Sequence, residues 1–265
     1  MKLSIIGGGN MGSAIARGLV KGTFFQANDI TVVDIQQKPL DKLKSLLPEI
    51  RTELCNYDSL SQADIIVLAV KPWMIEDTIV DIKFKLDYSR QIVASIAARI
   101  DFELMSKAFN KTNDIQSVPT LFRIIPNTAI AVGQSMTLIA SKNATKAQSD
   151  LLLNIFNEMG KAVMVEEHQL AAGTALTSCG IAYLFRYVRA AMEAGVEMGF
   201  YPQQAQDLIV NTMKGAAELL LQNGEHPEVE IDKVTTPGGI TIKGLNELEK
   251  QGFTNAVIQA MRVSR

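Results

Sequence analysis

The sequence contains few of the residues that most metal sites, disulfide frameworks and acid–base centres use. Its 265 residues include two cysteines, two histidines and one tryptophan, and the net charge is −2. Cys55 and Cys179 do not form a CxxC pair, which argues against a disulfide framework and against a metal site of the zinc type. The near-neutral charge gives no reason to expect nucleic acid or an anionic membrane surface as a partner.

A membrane span is also not indicated. The longest largely apolar stretch, residues 170–200, could span a bilayer, but it contains two arginines and two glutamates, which would be costly at bilayer depth. The N-terminus has no charged segment followed by a long apolar run and a cleavage site, so secretion is not signalled. We therefore expect a cytoplasmic protein that binds no membrane.

The composition is that of a globular protein, with 47% hydrophobic and 20% charged residues. In the first part of the chain, short apolar runs alternate with segments of helical spacing. Strands are predicted at residues 2–6, 30–33, 64–70, 91–97 and 135–140, and helices at 10–21 and 39–47. This alternation predicts an α/β fold with a doubly wound parallel sheet.

After about residue 165 only helical patterns follow, so we divide the chain into an α/β domain at 1–165 and an all-helical domain at 166–265. Helices are predicted from Leu170 to Met198, from Pro202 to a stop at Gly224, from Thr236 to near Gly252, and after a cap at Thr254. The first of these helices is apolar almost all round. This predicts that one of its faces packs on a second copy of the chain, in a homodimer.

Glycines follow the first predicted strand in the spacing G-x-G-x-x-G, as Gly7, Gly9 and Gly12. Gly7 permits a tight turn, Gly9 lets backbone N–H groups approach a pyrophosphate, and Gly12 lets the helix pack closely on the strand. The spacing alone also fits a simple tight turn. Because it follows a strand, opens a helix and precedes an acidic residue at the end of the next strand, it predicts a dinucleotide site in a Rossmann domain.

Asp34 is that acidic residue. Its carboxylate would accept hydrogen bonds from the adenosine ribose hydroxyls and would repel a 2′-phosphate. No arginine follows it immediately, and the nearest cation is Lys38. The sequence therefore favours NADH over NADPH, although an aspartate that merely ends the strand would leave NADPH open.

Three further polar or rigid residues lie near the predicted ligand edge, outside the carboxyl ends of the parallel strands. Lys71 is either a solvated surface lysine or a charge near the cofactor, and Pro72 makes its turn rigid. Asn56, taken by itself, would more often be a turn residue.

The stretch TTPGGIT, from Thr235 to Thr241, has the composition of a helix N-terminus. Thr236 is a good N-cap and Pro237 a good first helical residue, and the two glycines that follow leave backbone N–H groups uncovered. Such a turn is a ready carboxylate site, because its N–H groups and the helix dipole favour an anion. A well-capped helix without a ligand is the other interpretation.

These motifs resemble the pyrroline-5-carboxylate reductase family, whose members make the last reduction in proline biosynthesis. The matching segments cover nearly the whole chain and include IIGGGNMGSAIARGL at the start, LAVKPW, SIAA, RIIPNT, and VTTPGGITIKGLNELEKQGF near the end. The last segment is the most specific, since general Rossmann dehydrogenases lack it. The resemblance implies a Rossmann domain followed by a helical dimerisation domain, with dimers that often assemble into a decamer.

The resemblance also implies roles for individual residues. Gly9, Asn10 and Met11 would cradle the pyrophosphate, and Asn127 would lie near the nicotinamide. The other positions implied to line the cofactor are Asn56, Ala69, Val70, Lys71, Pro72 and Ala97. The substrate, 1-pyrroline-5-carboxylate, would bind at the dimer interface and be reduced to L-proline.

The carboxylate of that substrate would bind to Thr236 and to the backbone of Gly239, Ile240 and Thr241. The Thr241 hydroxyl would point at the ring nitrogen, and Glu167 would approach the nicotinamide side of the pocket. Reduction of a protonated imine leaves a neutral amine, so this chemistry needs no strong proton donor, and hydride passes from the nicotinamide to the imine carbon. The scarcity of acid–base groups fits such a substrate, since neither His168 nor His226 lies in the two best motifs.

The chain departs from the family's usual sequence at four places. Residues 177–183 read TSCGIAY instead of Ser-Gly-Ser-Gly-Pro-Ala-Tyr, a common aspartate is replaced by Ala171, and Arg99 stands where glycine is usual. These three bear on pocket shape and substrate identity. Asp34 stands where many members have serine or asparagine followed by arginine, which again favours NADH.

Two other functions are compatible with the same plan. A β-hydroxyacid dehydrogenase-like reductase would use a lysine on the first helix of its second domain, and residues 173–189 contain none. A non-catalytic dinucleotide-binding protein is disfavoured by the retention of Thr236, the paired glycines and Thr241. The sequence does not distinguish a five-membered from a six-membered ring imine.

Overall fold

The computed structural model describes residues 1–111 and 118–265, which separate into two compact units, Met1–Ser178 and Cys179–Arg265. The first unit is built on an eight-stranded sheet with the spatial order β3-β2-β1-β4-β5-β6-β7-β8. The strands are β1 (Leu3–Ile6), β2 (Ile30–Asp34), β3 (Arg51–Leu54), β4 (Ile65–Leu68), β5 (Ile92–Ser95), β6 (Thr120–Ile125), β7 (Ser135–Lys142) and β8 (Gly160–Met164).

Strands β1 to β6 run parallel to one another, whereas β7 is antiparallel to β6 and parallel to β8. The order reverses at β1, which has β2 on one side and β4 on the other. In open α/β sheets, ligands bind outside the carboxyl ends of the strands at such a reversal. The predicted doubly wound α/β fold is confirmed, with the last two strands running in the opposite direction.

Helices cover both faces of this sheet. They are α1 (Asn10–Lys21), α2 (Gln37–Leu46), α3 (Ile75–Ile82), α4 (Phe102–Phe109), α5 (Lys146–Asn157) and α6 (Leu170–Thr174). Helices α1, α2 and α5 contribute to the hydrophobic core on one face, and α3, α4 and α6 to the core on the other. Strands β1, β4 and β5 are consequently buried at every residue, which explains their largely apolar sequences.

The helix predicted at residues 10–21 is confirmed at both ends, and the five predicted strands are all present with slightly different bounds. The sequence patterns do not predict β3, β6 or β8. Strands β3 and β8 are partly exposed and lie at the two edges of the sheet, so they lack a continuous apolar run. Strand β6 is buried but contains Arg123 in the middle of its apolar residues.

The second unit is helical. After a π-helical turn at Ala175–Cys179, its helices are α7 (Gly180–Glu197), α8 (Pro202–Asn223), α9 (Pro227–Lys233), α10 (Ile240–Lys250) and α11 (Phe253–Val263). Pro202 opens α8, and Gly224, with a φ of +65°, ends it, as predicted. The predicted helix over residues 170–198 is therefore present but interrupted, and the boundary between the two units lies inside it, after Ser178.

Two contacts hold α7 in the second unit. Gly195 lies against Ala205, so closely that a Cβ on the glycine would be 2.9 Å from the Ala205 Cβ. The Tyr183 hydroxyl hydrogen-bonds to the Ser264 hydroxyl and donates to the Ala260 carbonyl at 3.3 Å, which ties α7 to α11.

Large apolar side chains of this unit remain exposed, among them Leu184, Phe185, Leu208, Leu221 and Val263. An apolar surface of this extent is rare on a monomer and is typical of a protein–protein interface. Among the residues that the structure describes, no helix has both the length and the apolar character needed to cross a bilayer.

Two predicted helix starts are wrong. Thr236 and Pro237 do not open α10; they form a turn in which the Gly239 N–H donates to the Thr236 carbonyl at 2.9 Å and Gly238 has a φ of +74°. A proline followed by a residue with positive φ favours a turn over helical continuation, so α10 begins only at Ile240.

The last helix likewise begins one residue before Thr254, at Phe253, and its N-cap is Gly252. His226, by contrast, is the N-cap of α9. Its Nδ1 atom accepts a hydrogen bond from the Glu228 N–H at 3.3 Å, at the start of α9.

Candidate functional site

The glycine turn after β1 is forced by close backbone contacts. Gly7 has a φ of +111°, and a Cβ at this position would lie 2.6 Å from the Ala69 carbonyl oxygen. A Cβ on Gly12 would lie 1.9 Å from the Gly7 carbonyl oxygen. Only glycine fits at either position, so the roles that the sequence predicts for Gly7 and Gly12, a tight turn and close helix–strand packing, are met in the structure.

Gly9 has the opposite environment. It is the N-cap of α1, makes no side-chain cap, and a Cβ built on it would meet no atom within 4 Å. Asn10 is exposed and Met11 is half-buried in the first turn that follows. The backbone N–H groups of this turn therefore face open space at a helix N-terminus, an arrangement that fits a pyrophosphate.

Asp34 is tied to the glycine turn. Its Oδ2 atom accepts a hydrogen bond from the Gly8 N–H at 2.6 Å, and Oδ1 accepts one from the Gln36 N–H at 2.8 Å. The Ser13 hydroxyl donates to the Gly8 carbonyl at 2.6 Å and holds the turn from the helix side. The acidic residue expected to face the adenosine ribose is thus also a structural part of the phosphate turn.

Tyr57 is a neighbour of Asp34 that the sequence patterns do not single out. Burial, and then the nearby Asp81, Cys55 and Asp34 side chains, raise the pKa of its hydroxyl. Its half-buried ring packs against the core under β4 and β5, and no sequence periodicity indicates that position.

Strands β4 and β5 bring further predicted residues to the same edge of the sheet. The Ala69 N–H donates to the Ile6 carbonyl at 2.7 Å, so the chain leaving β4 lies directly beside the glycine turn. Lys71 is exposed and precedes the half-buried Pro72, which opens a short 3-10 helix. Ala97 is buried after β5, and Val70 is half-buried after β4.

Asn56 follows β3, the strand beside β2. Its side-chain oxygen accepts a hydrogen bond from the Asp58 N–H at 3.1 Å, which is the geometry of a turn residue. The side chain is exposed. Asn56 therefore has a local structural role in addition to its predicted place beside the cofactor.

Asn127 follows β6 at the same edge and is 8% exposed. Its side-chain nitrogen donates to the Thr177 carbonyl at 3.1 Å, and its side-chain oxygen accepts from the Ala129 N–H at 3.0 Å. The Ser178 hydroxyl donates to the adjacent Pro126 carbonyl at 3.3 Å. These bonds fix the loop after β6 against the π-helical turn, a type of distortion that occurs frequently at functional sites.

Glu167, also in the first unit, is held by two hydrogen bonds. Its Oε1 atom accepts from the Phe102 N–H at 2.7 Å, at the start of α4, and from Arg123 Nη1 at 2.9 Å. Arg123 is largely buried, and its Nε has no hydrogen-bond partner. The sequence patterns do not identify this ion pair. The signal that could have indicated it is an arginine within an apolar strand, because a buried arginine needs an acidic partner.

Glu167 also lines a pocket of about 570 Å³, together with Phe102, Glu103, Ser141, Lys142, Met164, Val165, Glu166 and Gln169. Ser141 and Lys142 pair with Phe122 and Leu121, near the beginning of β6. By the strand register, Ser141 and Lys142 lie level with Ile5 and Ser4, in the middle of β1.

The second motif lies in the helical unit. The turn from Thr236 to Gly239 leads into α10, whose N-cap Gly239 provides no side-chain cap. A Cβ on Gly239 would be 2.7 Å from the Thr236 hydroxyl oxygen, so that hydroxyl sits directly over the glycine. Thr236, Ile240 and Thr241 are exposed, and the first N–H groups of α10 are open to an anion.

The reversed strand order, the glycine turn and the open N-terminus of α1 define a dinucleotide-binding protein of the Rossmann class. Two family models match the chain. One describes NADP oxidoreductases that are coenzyme F420-dependent and matches residues 2–99; the other describes pyrroline-5-carboxylate reductase dimerisation and matches residues 167–265.

Relatives match the whole chain. Pyrroline-5-carboxylate reductase 1 of Dictyostelium discoideum is 36% identical over 99% of this chain, which spans 48% of that protein. The pyrroline-5-carboxylate reductase of Methanosarcina acetivorans is 33% identical, with 100% of this chain and 97% of the relative covered. The pyrroline carboxylate reductase of Plasmodium falciparum, solved with NADP bound, superposes with a TM-score of 0.87 at 25% identity, over 100% of this chain and 95% of that one.

The chain belongs to the pyrroline-5-carboxylate reductase family. The resemblance seen in the sequence is therefore confirmed. The helical C-terminal part of the chain matches the dimerisation domain of this family, as expected.

Gly9→Ala tests the open turn. The fold should lose at most about 1 kcal/mol, since the new Cβ meets no protein atom and only a weak N-cap is changed. NADH should bind at least about tenfold more weakly, because the methyl group occupies the space of the phosphate. Titration calorimetry and chemical denaturation measure the two quantities.

Gly215→Ala is the matched control for this substitution. Gly215 lies in α8 and a Cβ there also meets nothing within 4 Å. This variant should bind NADH with unchanged affinity. Equal NADH affinity in Gly9→Ala and the wild type would show that the pyrophosphate does not approach Gly9.

Proposed function

We propose that this chain reduces 1-pyrroline-5-carboxylate to L-proline, with hydride supplied by NADH or NADPH. The observation that carries the proposal is that, in one chain of this family, the helix N-termini at both of the glycine-containing motifs of the sequence have no side-chain cap. One follows the glycine turn at Gly9, and the other follows the TTPGG turn at Gly239. The first suits a dinucleotide pyrophosphate and the second suits a small carboxylate.

The residues of the first unit fit the cofactor. The open space over Gly9 and the N–H groups of the first turn of α1 would hold the pyrophosphate. The residues proposed to line the rest of the cofactor are Gly7, Asn10, Met11, Gly12, Asp34, Asn56, Ala69, Val70, Lys71, Pro72, Ala97 and Asn127. When bound, the nicotinamide supplies the hydride that adds to the imine carbon.

Asn127 enters this proposal as a positioning residue. Both ends of its side-chain amide are already engaged, by Thr177 and Ala129. Its contribution is to hold the loop after β6 at the cofactor edge in one conformation.

The residues of the second unit fit the substrate. The N–H groups of Gly239, Ile240 and Thr241 lie at or beside the start of α10, although the Gly239 N–H is already bonded to Thr236. The Ile240 and Thr241 N–H groups, with the Thr236 hydroxyl, therefore supply the donors for the carboxylate. The Thr241 hydroxyl, in the same first turn, is proposed to hydrogen-bond the ring nitrogen.

Glu167 is proposed to act on the substrate only through its second oxygen, Oε2. Its Oε1 atom is committed to Arg123 and to the N-terminus of α4. The Arg123 ion pair and the Phe102 N–H fix the position of this carboxylate.

No strong acid is required beside the ring. The substrate enters as a protonated imine; hydride adds to its carbon, the C=N π electrons become the nitrogen lone pair, and the product is a secondary amine. The protein therefore supplies orientation and electrostatics, which a carboxylate clamp and a threonine hydroxyl can provide.

Consumption of reduced cofactor, followed at 340 nm with 1-pyrroline-5-carboxylate as the substrate, tests the function directly. We expect turnover with L-proline as the product. A six-membered cyclic imine carboxylate in a parallel assay measures ring-size selectivity. If high enzyme concentrations consume neither NADH nor NADPH with either imine, the proposed function is wrong.

Thr241→Ala should lower kcat by about tenfold, the effect of one lost hydrogen bond to a charged group in the transition state. The Kd for NADH should not change, because the proposed contact is with substrate. Thr212→Ala is a suitable control, since Thr212 is an exposed threonine of α8 whose hydroxyl bonds to the Leu208 carbonyl. Unchanged kcat in Thr241→Ala would remove this residue from the mechanism.

NADH is proposed as the preferred cofactor because the Asp34 carboxylate would repel a 2′-phosphate. Asp34→Ser should raise the ratio of kcat/KM for NADPH to that for NADH by about tenfold. It should also destabilise the protein by about 2 kcal/mol, because the Gly8 and Gln36 N–H groups lose a charged acceptor.

Asp41→Ser provides the comparison for Asp34→Ser, since Asp41 is an exposed carboxylate on α2 that does not touch the turn. Its cofactor ratio should equal that of the wild type. A ratio that stays constant in Asp34→Ser as well would mean that Asp34 does not select the cofactor.

A homodimer is proposed as the smallest functional assembly, and a decamer built from dimers as its larger form. The apolar side chains exposed on α7 and α8 support the first step, because a second copy would remove them from water. We further propose that the working division of the chain is a cofactor domain at 1–165 and a substrate and dimerisation domain at 166–265.

A further inference from the structure

Arg99 has a backbone conformation that residues with long side chains rarely adopt. Its φ is +65°, in the left-handed region, and it occupies the exposed turn Ala98–Arg99. Outside glycine, the other described residues with positive φ are Cys55 and Asn143, and asparagine tolerates this region far better than arginine. Strained conformations of this kind persist where the surrounding structure enforces them, and they cluster at ligand sites.

The turn is fixed at the cofactor edge on both sides. The Ile96 N–H donates to the Leu68 carbonyl at 3.0 Å, which continues the β4–β5 pairing beyond the end of β5. Ala97 and Ile100, the residues that flank the turn, are both buried in the core. Arg99 is therefore the exposed tip of a short loop whose ends cannot move far.

The strand order places this tip close to the phosphate turn. Strand β4 separates β5 from β1, so the chain after β5 lies two strand spacings, roughly 10 Å, from the glycine turn. An arginine side chain extended along the edge covers much of that distance. Within residues 1–111 and 118–265, neither Arg99 nor the nearby Lys71 forms an ion pair with a carboxylate.

We propose that Arg99 binds the dinucleotide pyrophosphate through the phosphate on the nicotinamide side. Two other anions are less suitable. A 2′-phosphate would lie at Asp34, after β2, three strand spacings away, and the substrate carboxylate has its own donors at the start of α10. Arginine suits the phosphate because its planar guanidinium can donate two parallel hydrogen bonds to it.

This inference rests on the proposed function, since it requires that the chain bind a reduced dinucleotide. The experiment measures the Kd of the dinucleotide that the wild type binds more tightly, NADH or NADPH, for the wild type and for Arg99→Gly, Arg99→Asn and Arg99→Lys. Glycine and asparagine both suit the turn but lack the charge, so each should bind about tenfold more weakly. Lysine keeps the positive charge but cannot donate two parallel hydrogen bonds, so the Kd of Arg99→Lys should lie between those of these two variants and that of the wild type.

Two competing ligands identify the phosphate. ADP-ribose carries both phosphates, so Arg99→Gly should weaken its binding as much as that of the dinucleotide. AMP carries only the adenosine-side phosphate, and its Kd should be the same in the wild type and the variant. An equal loss of affinity for AMP would contradict the assignment to the nicotinamide-side phosphate.

Thermal unfolding separates binding from structure. Arg99→Gly should raise Tm by about 2 °C, because glycine relieves the backbone strain, while the same variant binds the dinucleotide more weakly. Asn143→Gly is the matched control, because Asn143 has a φ of +60° and follows Lys142, away from the cofactor edge. It should leave the Kd unchanged.

Three further results would overturn the inference or its foundation, and they are distinguishable. An Arg99→Gly variant that binds the dinucleotide as tightly as the wild type removes the proposed contact. A raised KM for the imine at constant dinucleotide Kd would assign Arg99 to the substrate instead. A wild type that binds neither NADH nor NADPH would refute the proposed function itself, before any variant is compared.

Discussion

The cofactor edge depends on the close approach of three backbone segments. Gly7 lies against the carbonyl of Ala69, and Gly12 lies against the carbonyl of Gly7, with no space for a Cβ at either position. These contacts set the distance between β1 and the chain leaving β4, and they fix where α1 begins. The direction of the N–H groups in the first turn of α1 follows from that start. The geometry of the proposed phosphate site is thus a consequence of backbone packing at two glycines.

The same electrostatic device occurs in both units. In each, a glycine serves as the N-cap without contributing a side-chain acceptor, at Gly9 for α1 and at Gly239 for α10. A serine or aspartate cap would satisfy these N–H groups internally and would compete with a bound anion. Leaving them open costs each helix some stability, which an anionic ligand would restore on binding. In the proposed function, a protein with few titratable groups in its two main motifs would bind two different anions in this way.

Local sequence patterns predicted the features that local sterics decide. Helix α1 and the glycine turn were predictable because apolar spacing and glycine positions specify them, and Asp34 because it ends an apolar strand. Strands β3 and β8 lie at exposed sheet edges and have no distinctive pattern. The pairing of Arg123 with Glu167 joins residues 44 positions apart, and no local pattern encodes it. The prediction that a helix starts at Thr236 was wrong because Pro237 and Gly238 form a turn there, which outweighs the capping preference of the threonine.

Asp34 has an evolutionary consequence that follows from its two hydrogen bonds. Because the carboxylate that is proposed to face the ribose also holds Gly8, a substitution at Asp34 that changed cofactor choice would also weaken the turn. A lineage that replaced Asp34 to accept a 2′-phosphate would first pass through a less stable intermediate. Compensating substitutions elsewhere in the glycine turn would have to precede or accompany that change. If Asp34 has its proposed role, the stability of the fold would therefore oppose a change of dinucleotide preference at this position.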